Sequence, residues 1–263
     1  MVITSKDNDQ IKEIRKLKDK KARDKRGEFF IEGIKLIREA IAEKANLRTI
    51  VICDGCAQSG ELDKQHLYEL AKHNCIYVSE QVFNHIADVE NPQGILAVVG
   101  KNQPDQVVKY NEDVTVILDD VQDPGNMGTI LRTMDSIGLK QVIVSNGCVD
   151  VYNPKVVRAT MGAIFRMNVI ESEDLKETVK DLKKNKIQVV ATAIDAKDNI
   201  YDIKYNKVAI VIGNESNGVS EEVKKTADKK AKIPMFGKAE SLNASVAAGV
   251  VLYEYVRQRV LSK

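Results

Sequence analysis

Four short aliphatic runs in the second half of the chain constrain its fold more than any other feature of the sequence. They cover residues 114–118, 141–144, 188–192 and 208–212, and segments with helical periodicity lie between them, near residues 127–137, 175–185 and 220–227. Strands that are apolar on both sides and alternate with helices are typical of a parallel sheet with helices on both faces. The pattern therefore predicts an α/β domain. A final helix is expected at 242–260, with one stripe formed by Val246, Gly249, Val250, Tyr253 and Val256.

The first half of the chain predicts a smaller α/β domain. Strands are expected at residues 29–31, 48–53, 76–78 and 94–99, and helices at 6–25, 33–42 and 61–73. Residues 101–113 are polar, contain a proline and lack a regular apolar period, as expected of a linker. We therefore expect two domains, 1–105 and 106–263.

Composition narrows the class of protein. Hydrophobic residues make up 43% of the chain and charged residues 30%, as in ordinary globular proteins. The N-terminus is charged, and no run approaches about 18 apolar residues, so we expect a cytoplasmic protein that binds no membrane. Four cysteines are too few for a disulfide framework, and reduced thiols are expected. Cys53 and Cys56 form a C-x-x-C pair, but no second pair completes a metal site, so no metal is expected.

The most uneven charge distribution lies near the N-terminus. Residues 12–26 hold nine lysines and arginines against three acids, and apolar residues recur within them at helical spacing. Such a stretch is either the solvated face of a helix or a surface that lies along phosphates and releases counterions. Both interpretations stay open at this point.

A first chemistry-bearing stretch, residues 118–132, runs from a strand end through a Pro-Gly turn into a helix. Ligands of open parallel sheets bind beyond the carboxyl ends of the strands, which is where this turn falls. Arg132 shares a helix face with Gly128 and Thr129, whose small size leaves room for a phosphate. The alternative is an ordinary turn in which Asn126 caps the helix and Arg132 is a surface cation.

Two later stretches are also polar where a strand ends. In residues 208–220, a buried strand runs into Gly213, Asn214, Glu215 and Gly218, a loop suited to holding an adenosine. Residues 233–249 join an apolar Ile-Pro-Met segment to the last helix. The alternatives are a plain strand-to-helix turn and a helix that is merely capped and packs closely on the sheet. Neither a Walker loop nor a G-x-G-x-x-G motif after a strand is present, which disfavours the commoner nucleotide sites.

Taken together and in this order, the stretches resemble the SpoU (TrmH-like) family of SPOUT methyltransferases. The similar segments are DPGNMGTILRT (123–133), KVVRATMGA (155–163), VIGNESNGVS (211–220) and IPMFGKAESLNASVAAGVVLYE (233–254). In the first half, EFFIEGIKLIREAI and NPQGILAVV are similar to the substrate-binding domain that often precedes this catalytic domain and resembles small ribosomal RNA-binding proteins.

The resemblance implies an S-adenosylmethionine-dependent RNA ribose 2'-O-methyltransferase that is a homodimer with a C-terminal trefoil knot. RNA rather than DNA follows from the 2'-hydroxyl acceptor. The preceding domain favours ribosomal RNA over transfer RNA. A transfer RNA methyltransferase, and a non-catalytic RNA-binding or ribosome-assembly factor that retains the fold, are the alternatives.

The resemblance also assigns roles to residues. The catalytic positions are Asn126, Arg132, Glu215, Ser241 and Asn243. The cofactor-binding positions are Thr192, Gly213, Asn214, Gly218, Ile233 and Leu242. Arg158 matches a basic residue near the substrate phosphate. The resemblance also favours the interpretation of the basic helix as an RNA-docking surface, through Lys16, Lys20 and Lys21.

Overall fold

The structure is a computed structural model that describes residues 1–55, 70–101 and 107–261. Most of the helix expected at 61–73, and the domain boundary near residue 105, lie outside the described residues. The described strands and helices, in chain order, are β1 (Val2–Ile3), α1 (Asp9–Lys16), α2 (Lys20–Arg26), β2 (Glu28–Glu32), α3 (Ile34–Ala42), β3 (Leu47–Cys53), β4 (Cys75–Val78), α4 (Glu80–Ile86), β5 (Ile95–Gly100), β6 (Val114–Leu118), α5 (Pro124–Ser136), β7 (Gln141–Ser145), α6 (Pro154–Thr160), β8 (Asn168–Ser172), α7 (Leu175–Lys184), β9 (Gln188–Thr192), β10 (Asp198–Asn199), β11 (Val208–Ile212), α8 (Glu221–Thr226), β12 (Lys229–Lys232) and α9 (Ala244–Leu261).

These elements form two compact units. The first comprises Met1–Asn102 and Asp150–Phe165, and the second comprises Gln103–Val149 and Arg166–Lys263. In the first unit, a mixed sheet has the strand order β1-β4-β3-β5-β2. Strands β1, β4 and β3 are parallel, and β5 pairs antiparallel with both β3 and β2. This unit is therefore an α/β fold in its own right.

The basic helix expected at 6–25 is two helices, because the chain turns at residues 17–19. Arg23 of α2 is 2% exposed, and its Nη1 donates to the carbonyls of Leu17 (2.9 Å) and Lys18 (2.7 Å). Those carbonyls lie where α1 ends, and Gly27 ends α2 in the left-handed conformation, as its position in the sequence predicts. A buried guanidinium therefore satisfies backbone groups that a continuous helix would have bonded internally.

The segment Asp150–Phe165 is attached to the first unit by polar and aromatic contacts. The Arg23 Nε donates to Asp150 at 2.9 Å, and both side chains are at least nine-tenths buried. Phe29 of β2 packs against Tyr152 and Phe165, with ring centroids 4.8 and 6.5 Å away. These contacts join residues more than 120 positions apart in the chain.

In the second unit, seven parallel strands have the order β10-β12-β9-β11-β6-β7-β8. Every residue of β6 and β11 is buried, as expected when helices cover both faces. Apolar residues of α7 and α8 pack with alternate residues of the strands in one hydrophobic core. Helix α9 packs on α5 and β11. The parallel α/β architecture is thus confirmed. Strand β12 was not predicted because three of its four residues are lysines around a buried Ala231.

The stripe noted on the last helix is not its buried face. The buried residues of α9 include Ala248, Val251, Leu252 and Tyr255, whereas Val246 and Tyr253 are 52% and 56% exposed. Apolar residues occur around most of this helix, so their spacing alone does not single out the side that meets the sheet.

Two further expectations concern cysteines and membranes. Cys53 is disulfide-bonded, so the expectation of reduced thiols is wrong at this position, while Cys75 and Cys148 are free thiols. Cys56 lies outside the described residues. Within the described part of the chain, no helix combines the length and apolar character needed to cross a bilayer.

Candidate active site

The polar stretches meet at one edge of the parallel sheet. Strands β12, β9, β11 and β6 are neighbours, and the pairs Ala231–Thr192 and Ile212–Leu118 align their carboxyl ends. We call the segments that follow these four strands, residues 119–123, 193–196, 213–220 and 233–243, the edge loops. Sequence order separates them, but the sheet brings them together.

Glu215 joins two of the edge loops. Its Oε1 accepts from the Asn126 Nδ2 (2.9 Å) and the Asp123 N–H (3.1 Å), and its Oε2 accepts from the Gln122 N–H (3.2 Å). Partial burial raises the pKa of this carboxyl, but the bonds from Asn126 and from backbone N–H groups outweigh burial, and the pKa lies below its ordinary value. Glu215 is therefore held as a carboxylate at the start of α5.

Asn126 connects the start of α5 to the edge loop that precedes α9. Its Oδ1 accepts from the Asn243 Nδ2 at 2.9 Å, and its side chain is almost fully buried. Asn243 in turn accepts from the Ser245 N–H (2.9 Å) and caps α9. The chain Glu215–Asn126–Asn243 thus ties together three predicted catalytic residues, whereas Ser241 is exposed and its side chain has no hydrogen bond within the described residues.

Sequence reasoning missed a second set of contacts between the same loops. Buried Asp119 accepts from the Ser220 N–H at 2.7 Å, and the Asp120 carbonyl accepts from the Asn214 Nδ2 at 2.8 Å. Asp120 has φ +57°, a left-handed conformation that is uncommon outside glycine. The acidic pair directly after β6 was the available signal, since carboxylates at a strand end often receive loop N–H groups.

Gly213 allows the second loop to close tightly. The Asn214 N–H donates to the Gly218 carbonyl (3.0 Å), and the Gly218 N–H donates back (2.9 Å). A Cβ on Gly213 would lie 2.1 Å from the backbone of Gly218 and Val219. The close approach of two backbone segments therefore requires glycine here.

We expect Gly213→Ala to destabilise the protein by about 1–3 kcal/mol, because backbone rather than a flexible side chain must move. Urea unfolding measures this loss. The matched control is Gly249→Ala, because an added Cβ at Gly249 meets nothing within 4 Å. Gly138→Ala is not suitable as a control, because its φ of +83° would strain any side chain. Equal stability of Gly213→Ala and Gly249→Ala would contradict the close-packing interpretation.

Arg132 points out of the fold. It is exposed on α5, on the face it shares with Gly125 and Thr129, and its side chain has no hydrogen bond or ion pair within the described residues. A guanidinium in this position has all five N–H donors available for a phosphate or an oxyanion. The structure thus places Arg132 on the helix that Asn126 and Glu215 fix at its first turn.

The proposed cofactor positions also lie on the edge loops or on the strands they follow. Thr192 ends β9 and donates its Oγ1 to the Val211 carbonyl at 2.8 Å, and Ile233 directly follows β12. Ile233 and Leu242 are half-buried. No group of three or more His, Cys, Asp or Glu side chains suited to a metal occurs within residues 1–55, 70–101 and 107–261.

The predicted RNA contacts belong to the first unit. Arg158 of α6 pairs with Asp88 at 2.6 Å, and both side chains are partly exposed. Lys16 pairs with Glu13 at 2.6 Å, while Lys20 and Lys21 are exposed. The structure therefore leaves the two lysines at the start of α2 open to solvent and gives Arg158 and Lys16 acidic partners.

Comparison with known proteins decides the family. Residues 113–253, more than half of the chain, match the model of the SpoU rRNA Methylase family. The chain belongs to the SpoU family. Residues 8–97 match the MRM3-like substrate binding domain. The family predicted from the motifs is therefore confirmed.

Relatives within the SpoU family match over nearly the full chain. The 23S rRNA (guanosine(2553)-2'-O)-methyltransferase RlmP of Bacillus subtilis is 32% identical, with 95% of this chain and 97% of RlmP covered. The AdoMet-bound rRNA methyltransferase from Sinorhizobium meliloti superposes with TM-score 0.83 at 30% identity, covering 98% of both chains. AviRb from Streptomyces viridochromogenes in complex with AdoMet gives TM-score 0.84 at 28% identity, covering 96% of this chain and 98% of AviRb.

The edge loops fit such a cofactor. Adenosine offers a flat apolar ring with a polar rim, which suits apolar side chains interspersed with backbone N–H and carbonyl groups. Half-buried Ile233 and Leu242 are suited to the first kind of contact, and the backbone turn at Gly213–Gly218 is suited to the second. S-adenosylmethionine is thus compatible with the residues at this edge.

Proposed function

We propose that this protein transfers a methyl group from S-adenosylmethionine to a ribose 2'-hydroxyl of ribosomal RNA. The observation that carries the proposal is the hydrogen-bonded chain Glu215–Asn126–Asn243, which joins two edge loops to the start of α5, the helix that carries the exposed Arg132. The named activity of RlmP, a 23S rRNA 2'-O-methyltransferase, supports the same substrate class.

In this mechanism, residues 192, 213–218, 233 and 242 hold the cofactor, which supplies an electrophilic methyl group when bound. Arg132 binds the phosphate next to the target ribose and stabilises the negative charge that develops on the attacking 2'-oxygen. The guanidinium of an arginine is a cation with five N–H donors and no acceptor, so Arg132 is not the base. The hydroxyl proton leaves to another acceptor, for which the adjacent phosphate is a candidate.

Asn126 and Glu215 act as positioning residues in this proposal. The Asn126 amide donates to Glu215 and accepts from Asn243, which fixes the start of α5 relative to the other loops. Fixing the helix start sets the direction in which Arg132 leaves the helix two turns later. Ser241, which is exposed in the same loop as Asn243, is proposed to contact the substrate at the reacting end.

The proposal extends to domain roles and assembly. Residues 1–105 are assigned to substrate binding by a ribosomal-protein-like domain, and residues 106–263 to a catalytic domain with a C-terminal trefoil knot. A homodimer is proposed because the exposed side of α9 carries Val246, Tyr253 and Val260, which a second copy would bury. A cytoplasmic location is proposed because the bacterial relative RlmP is named as acting on 23S rRNA. Sedimentation at micromolar concentration tests the dimer.

The direct test of function is methyl labelling of total RNA from cells with and without this protein, mapped to single nucleotides. One ribose methylation in ribosomal RNA that disappears with the protein would establish the substrate. A lost site in transfer RNA would move the assignment to that substrate. Calorimetry that detects no S-adenosylmethionine binding would favour a non-catalytic RNA-binding factor.

Replacing Lys16, Lys20 and Lys21 with glutamine is expected to weaken RNA binding and flatten its dependence on salt. Each lost phosphate contact reduces the slope of log K against log [salt] by just under one unit. Three substitutions on α7, Lys176, Lys180 and Lys184 to glutamine, remove the same charge from the second unit as a control. An unchanged slope in the first variant, measured by filter binding, would exclude α1 and α2 as a docking surface.

A further inference from the structure

Phe236 differs from the other four phenylalanines of the chain in its exposure to solvent. Phe29, Phe30 and Phe83 are at most 2% exposed and Phe165 is partly buried, whereas Phe236 is 98% exposed. Full burial of such a side chain contributes roughly 1.5–3 kcal/mol, so folding of the chain gains no such stabilisation from Phe236. An aromatic ring presented to solvent in this way is suited to contact with a ligand.

Phe236 lies on the edge loop between β12 and α9. An added Cβ on its neighbour Gly237 would meet nothing within 4 Å, so this part of the loop stands clear of the other described residues. Ser241 follows five residues later, which limits its distance from Phe236 to at most about 18 Å along the chain. The ring is therefore on the same edge as the proposed reacting groups.

The chain around Phe236 is basic. Residues 229–238 hold four lysines and no acid. Lys230 lies 3.9 Å from Asp195, and Lys238 is exposed two residues beyond the ring. Lysines that follow a backbone, together with an aromatic ring that stacks on a base, are how proteins bind single-stranded nucleic acid.

We propose that Phe236 stacks on an unpaired base of the substrate RNA next to the methylated nucleotide, while Lys238 lies against its phosphate. This inference rests on the proposed function and names a surface that fixes substrate register. Bases of single-stranded loops and bulges are free to stack on aromatic side chains, and the ring would hold such a base beside the nucleotide whose 2'-hydroxyl is methylated.

The exposure of Phe236 argues against a place in the cofactor pocket. Small-molecule pockets bury most of their ligand, so the side chains that line them are themselves partly buried. Ile233 and Leu242, on the same loop, are half-buried and fit that description. At 98% exposure, Phe236 does not.

The test uses the absence of tryptophan from the chain. Phe236→Trp introduces a single tryptophan at the proposed contact, and an unmodified 23S rRNA transcript is expected to quench its emission when tryptophan is excited selectively. The matched control is Val107→Trp, at a position 65% exposed. Two residues later, the Lys109 N–H donates to the side chain of Gln141, the first residue of β7, so the control lies at the amino-terminal ends of the strands. Because the edge loops lie at the carboxyl ends, the emission of this control is expected to stay unchanged.

Kinetics provide the second readout. Phe236→Ala and Phe236→Leu are expected to raise KM for the transcript about tenfold, within the range for one stacked base, with kcat within about twofold. Phe236→Trp should keep a near-normal KM, because it retains an aromatic face. S-adenosylmethionine affinity by calorimetry and the dimer by sedimentation should not change.

Several outcomes would overturn the proposal. Normal KM in Phe236→Leu would mean that bulk and not stacking matters, and equal quenching of both tryptophan variants would mean non-specific RNA contact. Loss of cofactor affinity or of the dimer in Phe236→Ala would assign the ring to another partner. If the wild-type protein methylates no RNA, the proposed function fails, yet quenching of Phe236→Trp still decides whether this loop stacks on RNA.

Discussion

Replacing Arg132 with lysine is expected to lower kcat about 10²–10³-fold, with S-adenosylmethionine affinity unchanged. This is the usual loss when one donor to a developing oxyanion is removed. Lysine keeps the charge but replaces a planar group with five N–H donors by a point charge, which cannot bind phosphate and oxygen in the same fixed geometry. Single-turnover methylation of the RNA substrate measures the effect.

The matched control is Arg259→Lys. Arg259 is an exposed arginine on α9 whose closest polar contact is the Tyr255 hydroxyl, 3.4 Å away. We expect it to leave kcat within about twofold. Near-normal turnover of Arg132→Lys, with an unchanged pH profile, would remove the case for a guanidinium at the reacting oxygen.

Replacing Asn126 with aspartate is expected to be the most disruptive isosteric change at the site. A second carboxylate would take the place of an amide that now donates to the Glu215 Oε1 at 2.9 Å. Repulsion and the loss of the hydrogen bond together should cost about 3 kcal/mol of stability at neutral pH. With the start of α5 displaced, we expect kcat to fall at least 10²-fold, because small errors in alignment are costly.

The pH dependence of this variant follows from the sign of the pKa change. Two facing carboxylates raise the pKa of the pair in the folded state above its unfolded value, so the protein takes up a proton on folding. The variant should therefore be least stable above the raised pKa and recover stability as the pH falls toward it. Urea midpoints at pH 7.5 and 5.5 test this.

The double variant N126D/E215Q is the control for both effects. It exchanges donor and acceptor, so that the glutamine amide donates to the new carboxylate, and most of the lost stability should return. Its activity should recover less, because the glutamine carries no charge for the N–H groups of Gln122 and Asp123. If the double variant is as unstable as N126D alone, the contact between these side chains does not hold the loops together.

The accuracy of the sequence-based expectations varied with the range of the interactions involved. Strands β6, β9 and β11 begin and end where the predominantly aliphatic runs do, because strands buried on both faces are mostly apolar. The lysine-rich strand β12 and the two-residue strand β10 carry no such signal. Their existence depends on the neighbouring strand in the sheet rather than on their own composition.

Within the candidate site, the motifs named residues that the fold brings together, but they did not indicate how these residues contact one another. In the sequence, Asn126 is compatible with the role of helix cap as well as with a role in the site. The cap is in fact Asp123, whose Oδ1 accepts from the Asn126 N–H at 2.8 Å. The Asn126 amide is instead used between Glu215 and Asn243, 89 and 117 residues further along the chain. No local pattern encodes contacts over that separation.

The sequence by itself determined the family, the parallel sheet and the residues that line its carboxyl edge, because periodicity and motifs are local properties. The tertiary structure alone decided which side of α9 is buried, that Asp150–Phe165 packs with the first unit, and that Arg23 divides the basic helix in two. The first two depend on contacts between residues far apart in the chain, and the third depends on the burial of Arg23 with Asp150, 127 residues away. In each case burial and pairing outweigh local preference.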